Sequence, residues 1–319
     1  MDNSVARQKH TGGFRDKAKK LGKEIWKFRA IYALLLPGLL WYFIFAYLPM
    51  GGLSLAFKSY KANLGIWGSP WIGLGNYEYV FRDAAFWQSI WKTIYINIGR
   101  MVFQFPAPII LALIINEFRM KRYKRVLQTI YTFPHFLSWI IVASIATNVL
   151  SLDGMVNQVV MAFGGEPVSF LGNPNSFIPL LYITDIWKYA GYGSIIYLAA
   201  ISGIDTDQYE AADIDGATRW QKLVHITLPS ILPTIIIMFI MTTGTMMSMG
   251  FDQIFNMSNA AVKDSVEVLD MYIYRITFQS AADFSFSTAV SLFRSIVNML
   301  FLIVADRGSK LMGGGGLFG

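Results

Sequence analysis

The chain has 319 residues, of which 54% are hydrophobic and only 15% carry charge, against roughly 25% charged in an ordinary soluble domain. That shortage excludes a large soluble domain, which needs a charged surface, and favours helices facing lipid. The absence of cysteine excludes disulfides, thiolate metal sites and cysteine nucleophiles.

Taken in chain order, residues 1–30 form a basic tail running from Arg7 to Arg29, expected to lie solvated against an anionic inner leaflet. A basic stretch before an apolar run is also how a signal peptide begins. Here the run is too long and lacks an A-x-A cleavage site, so it reads as an uncleaved first span. Six stretches reach the roughly 20 apolar residues needed to cross a bilayer: 31–57, 88–116, 126–150, 177–203, 228–250 and 283–305. The fourth is the least apolar. Several contain proline, namely Pro37, Pro106, Pro108, Pro134 and Pro233, which membrane helices tolerate when neighbours satisfy the freed backbone groups. The expected fold is an all-α integral membrane protein with six transmembrane helices. The membrane-spanning region is 31–305, with a Gly-rich tail at 306–319.

Lysine and arginine set the orientation. With the N-terminus inside, the cytoplasmic segments carry 18 of them and the outer segments 5, so both termini are expected in the cytoplasm. Arg119, Lys121, Arg122, Lys124 and Arg125 form the strongest anchor. Because the basic residues alternate with apolar runs, the net charge of +7 reads as topology control and not as a nucleic-acid surface. The outer loop 58–87 holds Trp67, Trp71, Tyr77, Tyr79, Phe81 and Phe86, placed as interfacial aromatics or as a docking surface for an external partner.

The informative segment lies between spans four and five, at 204–229. Asp207 with Glu210 three residues on has the form of a capping box. Gly216 permits a sharp turn. Trp220, Leu223 and Val224 share one face of a second short helix, and Pro229 suits the first turn of span five. A rigid helix–turn–helix at the membrane face follows; from the physics alone, an ordinary helical loop fits equally well.

The segment resembles the cytoplasmic "EAA" loop of ATP-binding-cassette importer permeases. Glu210-Ala211-Ala212, Asp215-Gly216-Ala217 and Ile226-Thr227-Leu228-Pro229 fall at the family spacing, and Leu223 stands where many members have Phe. Gln128-Thr129-Ile130 with Pro134-His135-Phe136-Leu137-Ser138-Trp139, and Phe251-Asp252-Gln253-Ile254-Phe255, are similar to stretches of carbohydrate-uptake permeases. Residues Val268 to Arg275 resemble a branch handling complex oligosaccharides. The resemblance implies a type I importer permease in a bacterial cytoplasmic membrane, forming half of a translocation path by alternating access. It implies that Glu210, Ala211, Ala212, Asp215, Gly216, Ala217, Ile226, Leu228 and Pro229 engage a separate ATPase. The implied partners are a second, related permease, two ATPases holding ATP and magnesium, and an extracellular sugar-binding protein. This chain has no Walker A pattern, so no cofactor and no ATP hydrolysis are expected of it. An ion-gradient-driven secondary transporter is the rival reading; it calls for related halves and acidic coupling residues.

Polar groups at membrane depth are the candidate cargo contacts: Arg100, Gln104, Asp185, Lys188 and Arg294, with Trp187, Tyr189 and Tyr192 as aromatic platforms. A lysine or arginine at mid-bilayer costs about 2.5–3.5 kcal/mol, so these groups are expected to face the interior. Asp185 and Lys188, three apart, are expected to pair. Arg100 and Arg294 have no obvious acidic partner in the chain, so either a partner subunit neutralises them or an acidic, uronate-containing cargo does. The histidines are only three, His10, His135 and His225, without metal-site spacing. Met241, Met246, Met247 and Met249 read as adaptable packing residues or a gate.

Overall fold

The computed structural model describes residues 23, 25–118, 120–279, 283–311 and 316–317. Most of the basic tail, Arg119, the Lys121 side chain and most of the Gly-rich end lie outside the described residues. Among those described there are helices and no strands, the one β-like feature being an isolated bridge between Lys58 and Trp71.

Among the described residues, five helical stretches are long and apolar enough to cross a membrane: Arg29–Phe57, Ala84–Glu117, Trp139–Ala162, Arg219–Gly244 and Phe284–Leu311. The first comprises α1 (Arg29–Tyr42) continued by π and 3-10 turns to Phe57. A short outer helix α2 (Gly75–Arg82) precedes the second, which is made of α3 (Ala84–Phe103) and α4 (Pro106–Glu117). The fourth sequence-predicted span is the single helix α8 (Pro174–Ser202). Its 29 residues measure about 43 Å at 1.5 Å per residue, enough to cross. Its polar content, which includes Asp185 and Lys188, sets it apart from the other five.

The third span differs from expectation. It is not one helix over 126–150 but two, α5 (Lys121–Thr132) and α6 (Trp139–Leu150), separated by a tight 3-10 turn over Phe133–Phe136. Pro134 has no N–H to give to the helix before it, and the Ser138 side chain caps the new one by accepting from the Ile141 N–H. Helix α7 (Met155–Ala162) follows. Span five also ends early: α11 (Leu228–Gly244) stops six residues before the predicted boundary at 250, and a 3-10 turn then leads to Gly250. The short helices α9 (Thr206–Ile214) and α10 (Arg219–Lys222) lie between α8 and α11. Helices α12 (Phe251–Met257), α13 (Leu269–Tyr274) and α14 (Phe284–Leu311) complete the chain.

Helix α8 is the hub. Tyr197, Leu198 and Ile201 pack with Ala112 and Ile115 of α4 and Ile231 of α11 in one apolar cluster. Phe177 and Leu181, on the same helix, join Trp139, Val142 and Ala146 of α6, with Ile254 and Met257 of α12, in a second. A third cluster gathers Ala56, Val80, Phe86, Met247, Leu269, Tyr272 and Val290, binding α14 to the outer loops. There the buried Tyr272 hydroxyl donates to Asp83 at 2.5 Å, and burial together with that bond pushes its pKa up.

Close packing of α8 on α5 needs a residue without a side chain. A Cβ at Gly191 would stand 1.9 Å from the Tyr131 carbonyl oxygen, and backbone cannot yield as a side chain can. Gly191→Ala is expected to cost about 1–3 kcal/mol through overpacking, seen as a lower thermal melting point of the purified protein. Gly38→Ala, with nothing within 4 Å of the added atom, is expected to leave it unchanged.

Candidate functional site

Two polar constructions stand out from the apolar bundle, one among the spans and one in the loop between α8 and α11. The first is built on Arg100 of α3, which is 3% exposed and lies 3.2 Å from Asp185 of α8, itself 2% exposed. Arg100 also donates to the Gln253 side-chain carbonyl at 2.5 Å. The Gln253 amide donates in turn to the Leu181 carbonyl at 2.7 Å and the Thr184 hydroxyl at 2.8 Å. One cation is thus balanced by one carboxylate and held by an amide anchored in α8, so α3, α8 and α12 are tied together where water is scarce. The turn before α12 makes room for it. Gly250 sits at φ +89°, and a Cβ there would fall 2.3 Å from the Arg100 guanidinium, so both conformation and space call for glycine.

The network borders a cavity of about 290 Å³ lined by Arg100, Gln104, Trp139, Asp185, Tyr189, Ser248, Met249, Gly250, Phe251, Asp252 and Gln253. A neighbouring, more apolar hollow of about 180 Å³ shares Arg100, Gln104, Tyr189 and Met249 with it. The Gln104 side-chain oxygen is buried without a hydrogen-bond partner, and Tyr189 accepts from the Trp139 indole at 3.0 Å. Polar groups beside the aromatic faces of Trp139 and Phe251 match the two sides of a sugar ring, hydroxyl and apolar.

Of the eight residues proposed from sequence as cargo contacts, Arg100, Gln104, Asp185 and Tyr189 meet at this cavity, and the other four do not line it. The expected Asp185–Lys188 pair does not form. Lys188 instead donates to the His135 carbonyl at 2.9 Å and to that of Leu137, on the turn that breaks span three. Those carbonyls have lost their helical partners, and a lysine ammonium supplies three donors to replace them. Trp187 faces an apolar groove on the outside of the bundle. Tyr192 stacks on His135 with centroids 3.9 Å apart. Arg294 pairs with Asp270 of α13. The reading that Arg100 and Arg294 lack acidic partners is therefore corrected for both: the partners lie 85 and 24 residues away in sequence, respectively. Among the methionines, Met246 and Met247 are core, Met241 is exposed and Met249 lines the cavity. Sequence reasoning missed Gln253 and Asp252 as cavity residues, although it had singled out 251–255 as a recognisable stretch.

In the loop between α8 and α11, α9 is capped by Asp205, whose side chain accepts from the Asp207 N–H at 3.0 Å. This replaces the expected Asp207–Glu210 capping box. The helix ends in a Schellman motif: the Ala217 N–H bonds the Ala212 carbonyl at 2.9 Å and the Gly216 N–H that of Asp213 at 3.2 Å. Gly216, at φ +74°, occupies the left-handed position this termination requires, which gives the Asp215-Gly216-Ala217 triplet a physical reason. A true capping box then opens α10, with Thr218 and Gln221 bonding each other's backbone. Lys222 bridges back to Asp213 at 2.5 Å, and Tyr209 bonds Thr227 at 2.8 Å. Pro229 stands in the first turn of α11. Ala211, Asp215 and Glu210 are exposed, Ala212, Ala217, Ile226 and Leu228 half-buried. Ile214 and Trp220 protrude, 88% and 72% exposed. Trp220 was grouped with Leu223 and Val224 on one face; it is the outward member, while they are half-buried.

Residues 104–310 match the family described as binding-protein-dependent transport system inner membrane component. This chain belongs to that family. It is the membrane permease subunit of an ATP-driven importer, a type I permease in fold. It is 36% identical over 305 residues, 95% of each chain, to the polygalacturonan/rhamnogalacturonan transport system permease protein YteP of Bacillus subtilis (strain 168). It also superposes on a bacterial ABC transporter involved in the import of the acidic polysaccharide alginate. The TM-score is 0.84 at 38% identity, covering 91% of this chain and 98% of that one. A second structure, of a bacterial alginate ABC transporter in complex with an alginate pentasaccharide-bound periplasmic protein, gives a TM-score of 0.85 at 36% identity, covering 93% and 100%.

The buried pair yields a sharp expectation. Asp185→Leu alone leaves the Arg100 charge uncompensated and is expected to cost about 3–5 kcal/mol, whereas Arg100→Met with Asp185→Leu recovers most of it. Thermal unfolding of the single and double variants measures the coupling.

Proposed function

We propose that this chain forms half of the membrane path of an importer for acidic oligosaccharides, beside a second, related permease. An extracellular binding protein delivers the cargo, and two separate ATPase subunits, which hold the ATP and magnesium, supply the work. The observation that carries the cargo assignment is the kinship, at 38% identity over 91% of the chain, with a permease of an alginate importer; the relationship to YteP supports it. The proposal retains the acidic cargo but not its first motive. With Arg100 and Arg294 each engaged by a carboxylate, the cavity offers hydroxyl-matching groups, and the binding protein performs the selection for acid.

In this reading the segment 204–229 receives the push. Ile214 and Trp220 enter a groove of the ATPase as apolar anchors, with Glu210, Ala211, Asp215 and Ala217 around them. Ala212, Gly216, Ile226, Leu228 and Pro229 keep the elbow stiff. Force then passes through Tyr209–Thr227 and Lys222–Asp213 into α8, which lines the cavity, and α11, which lines the neighbouring hollow. Both termini lie on the cytoplasmic side with this elbow. The permease family weighs against the ion-gradient alternative.

The test is ATP hydrolysis by the reconstituted complex in response to cargo-loaded binding protein. Gly216→Pro, which cannot take the left-handed conformation, and Glu210→Lys are each expected to lower the stimulated rate about tenfold or more while the spans still insert. Full stimulation in both variants would refute the coupling role. In uptake of matched acidic and neutral oligosaccharides, Arg294→Gln is expected to reduce both by the same factor, because it breaks a structural pair.

A further inference from the structure

Helix α5 carries a cluster of cations that the transport reading does not use. The segment 119–132 contains five basic residues and no acid. Arg122 and Arg125 are exposed, and among the described residues no carboxylate pairs with them; Lys124 reaches only the Asn116 side-chain oxygen, at 3.4 Å. Interleaved with these cations are apolar side chains that also face outward: Tyr123, Val126 and Ile130 are 57–60% exposed. Arg122, Val126 and Ile130 recur at intervals of four and so form one stripe along the helix.

That stripe leads into the apolar groove between α4, α5 and α8. Its walls are Ile110, Ile114, Ile130, Tyr131, Pro134 and Trp187, and its volume is about 540 Å³, room for a fatty acyl chain. From Ile130 at the groove to Arg122 at the basic end is eight residues, about 12 Å along the axis. The groove therefore has a cationic rim at one end and hydrocarbon-matching walls along its length. Charge complementarity and this alignment argue for an occupant with an anionic head and an apolar tail.

We infer that the groove and its rim form a binding site for an anionic phospholipid of the inner leaflet. One acyl chain lies against Ile110, Ile114 and Trp187, and the phosphate rests on Arg122 and Arg125, with Lys124 alongside. Guanidinium groups suit this task because they hold phosphate oxygens in pairs, and basic residues close to the membrane surface attract anionic headgroups additively. A lipid seated here touches both α5 and α8 beside the break in span three, and so would steady the bundle at its weakest backbone.

The experiment takes the full importer complex, equilibrated in vesicles of equal phosphatidylglycerol and phosphatidylcholine, and counts retained lipids by native mass spectrometry. The wild type is expected to retain phosphatidylglycerol selectively. Arg122→Gln with Arg125→Gln is expected to lower that retention about tenfold, and Arg122→Lys with Arg125→Lys to preserve most of it. Ile114→Trp, which fills the groove, is expected to lower retention without touching the cations. Undiminished phosphatidylglycerol in both the glutamine pair and Ile114→Trp would overturn the proposal. Because the chain has no cysteine, Ile114→Cys also gives a unique probe. Labelling by a phosphatidylglycerol that carries a maleimide on its acyl chain supports the site, and cross-linking to a second permease chain in its place overturns it.

Discussion

A charge buried among apolar helices must be answered within the fold, and here the answer for Arg100 fixes the arrangement of three segments. Its guanidinium meets Asp185 at 3.2 Å and Gln253 at 2.5 Å. The groups come from α3, α8 and α12, and all three are almost fully buried. Removing two ions from solvent is expensive, and their attraction repays it only when geometry and the remaining hydrogen bonds are good. The Gln253 amide spends both of its N–H groups on α8, and Gly250 keeps the space open. Such a network is weak evidence of extra stability and better evidence of a specified register: slide α3 by one turn and every partner is lost. The cargo cavity lies against this network, so its shape is set by the same contacts.

Lys188 solves a different problem with the same economy. The break at Phe133–Phe136 would leave carbonyl groups bare in an apolar setting, where each unsatisfied group costs several kcal/mol. The lysine of α8 reaches across and donates to them. The two charges of α8, three residues apart, therefore face different elements: Asp185 turns to α3 and Lys188 to the interrupted span. The cavity and the break are built on one helix, and a displacement of α8 is felt at both.

Length and hydropathy made most of the spans legible, because crossing a bilayer demands about 20 apolar residues whatever the fold. The elbow was legible for another reason: Gly216 and Pro229 are residues whose backbone restrictions speak locally. What stayed hidden depends on long-range approach. Asp185 and Lys188 look like a pair because helical spacing brings them near, yet each has a better partner from another element. Asp270 lies in a segment that carries no sign of facing Arg294. The break in span three left a trace in Pro134, but proline alone does not separate a kink from a stop. The capping of α9 was misjudged by two residues, since Asp205 and Asp207 are equally able to accept and only the turn after α8 decides between them.

No side chain of α1 or of the π turn that follows it is buried by the other described residues, whereas Leu55 and Ala56, about three 3-10 turns on, are core. The polypeptide thus carries an outrigger: a greasy rod joined to the main body through the 3-10 segment Leu48–Phe57. Its apolar flanks await cover from lipid or from a neighbouring subunit, because the rest of the described fold supplies none.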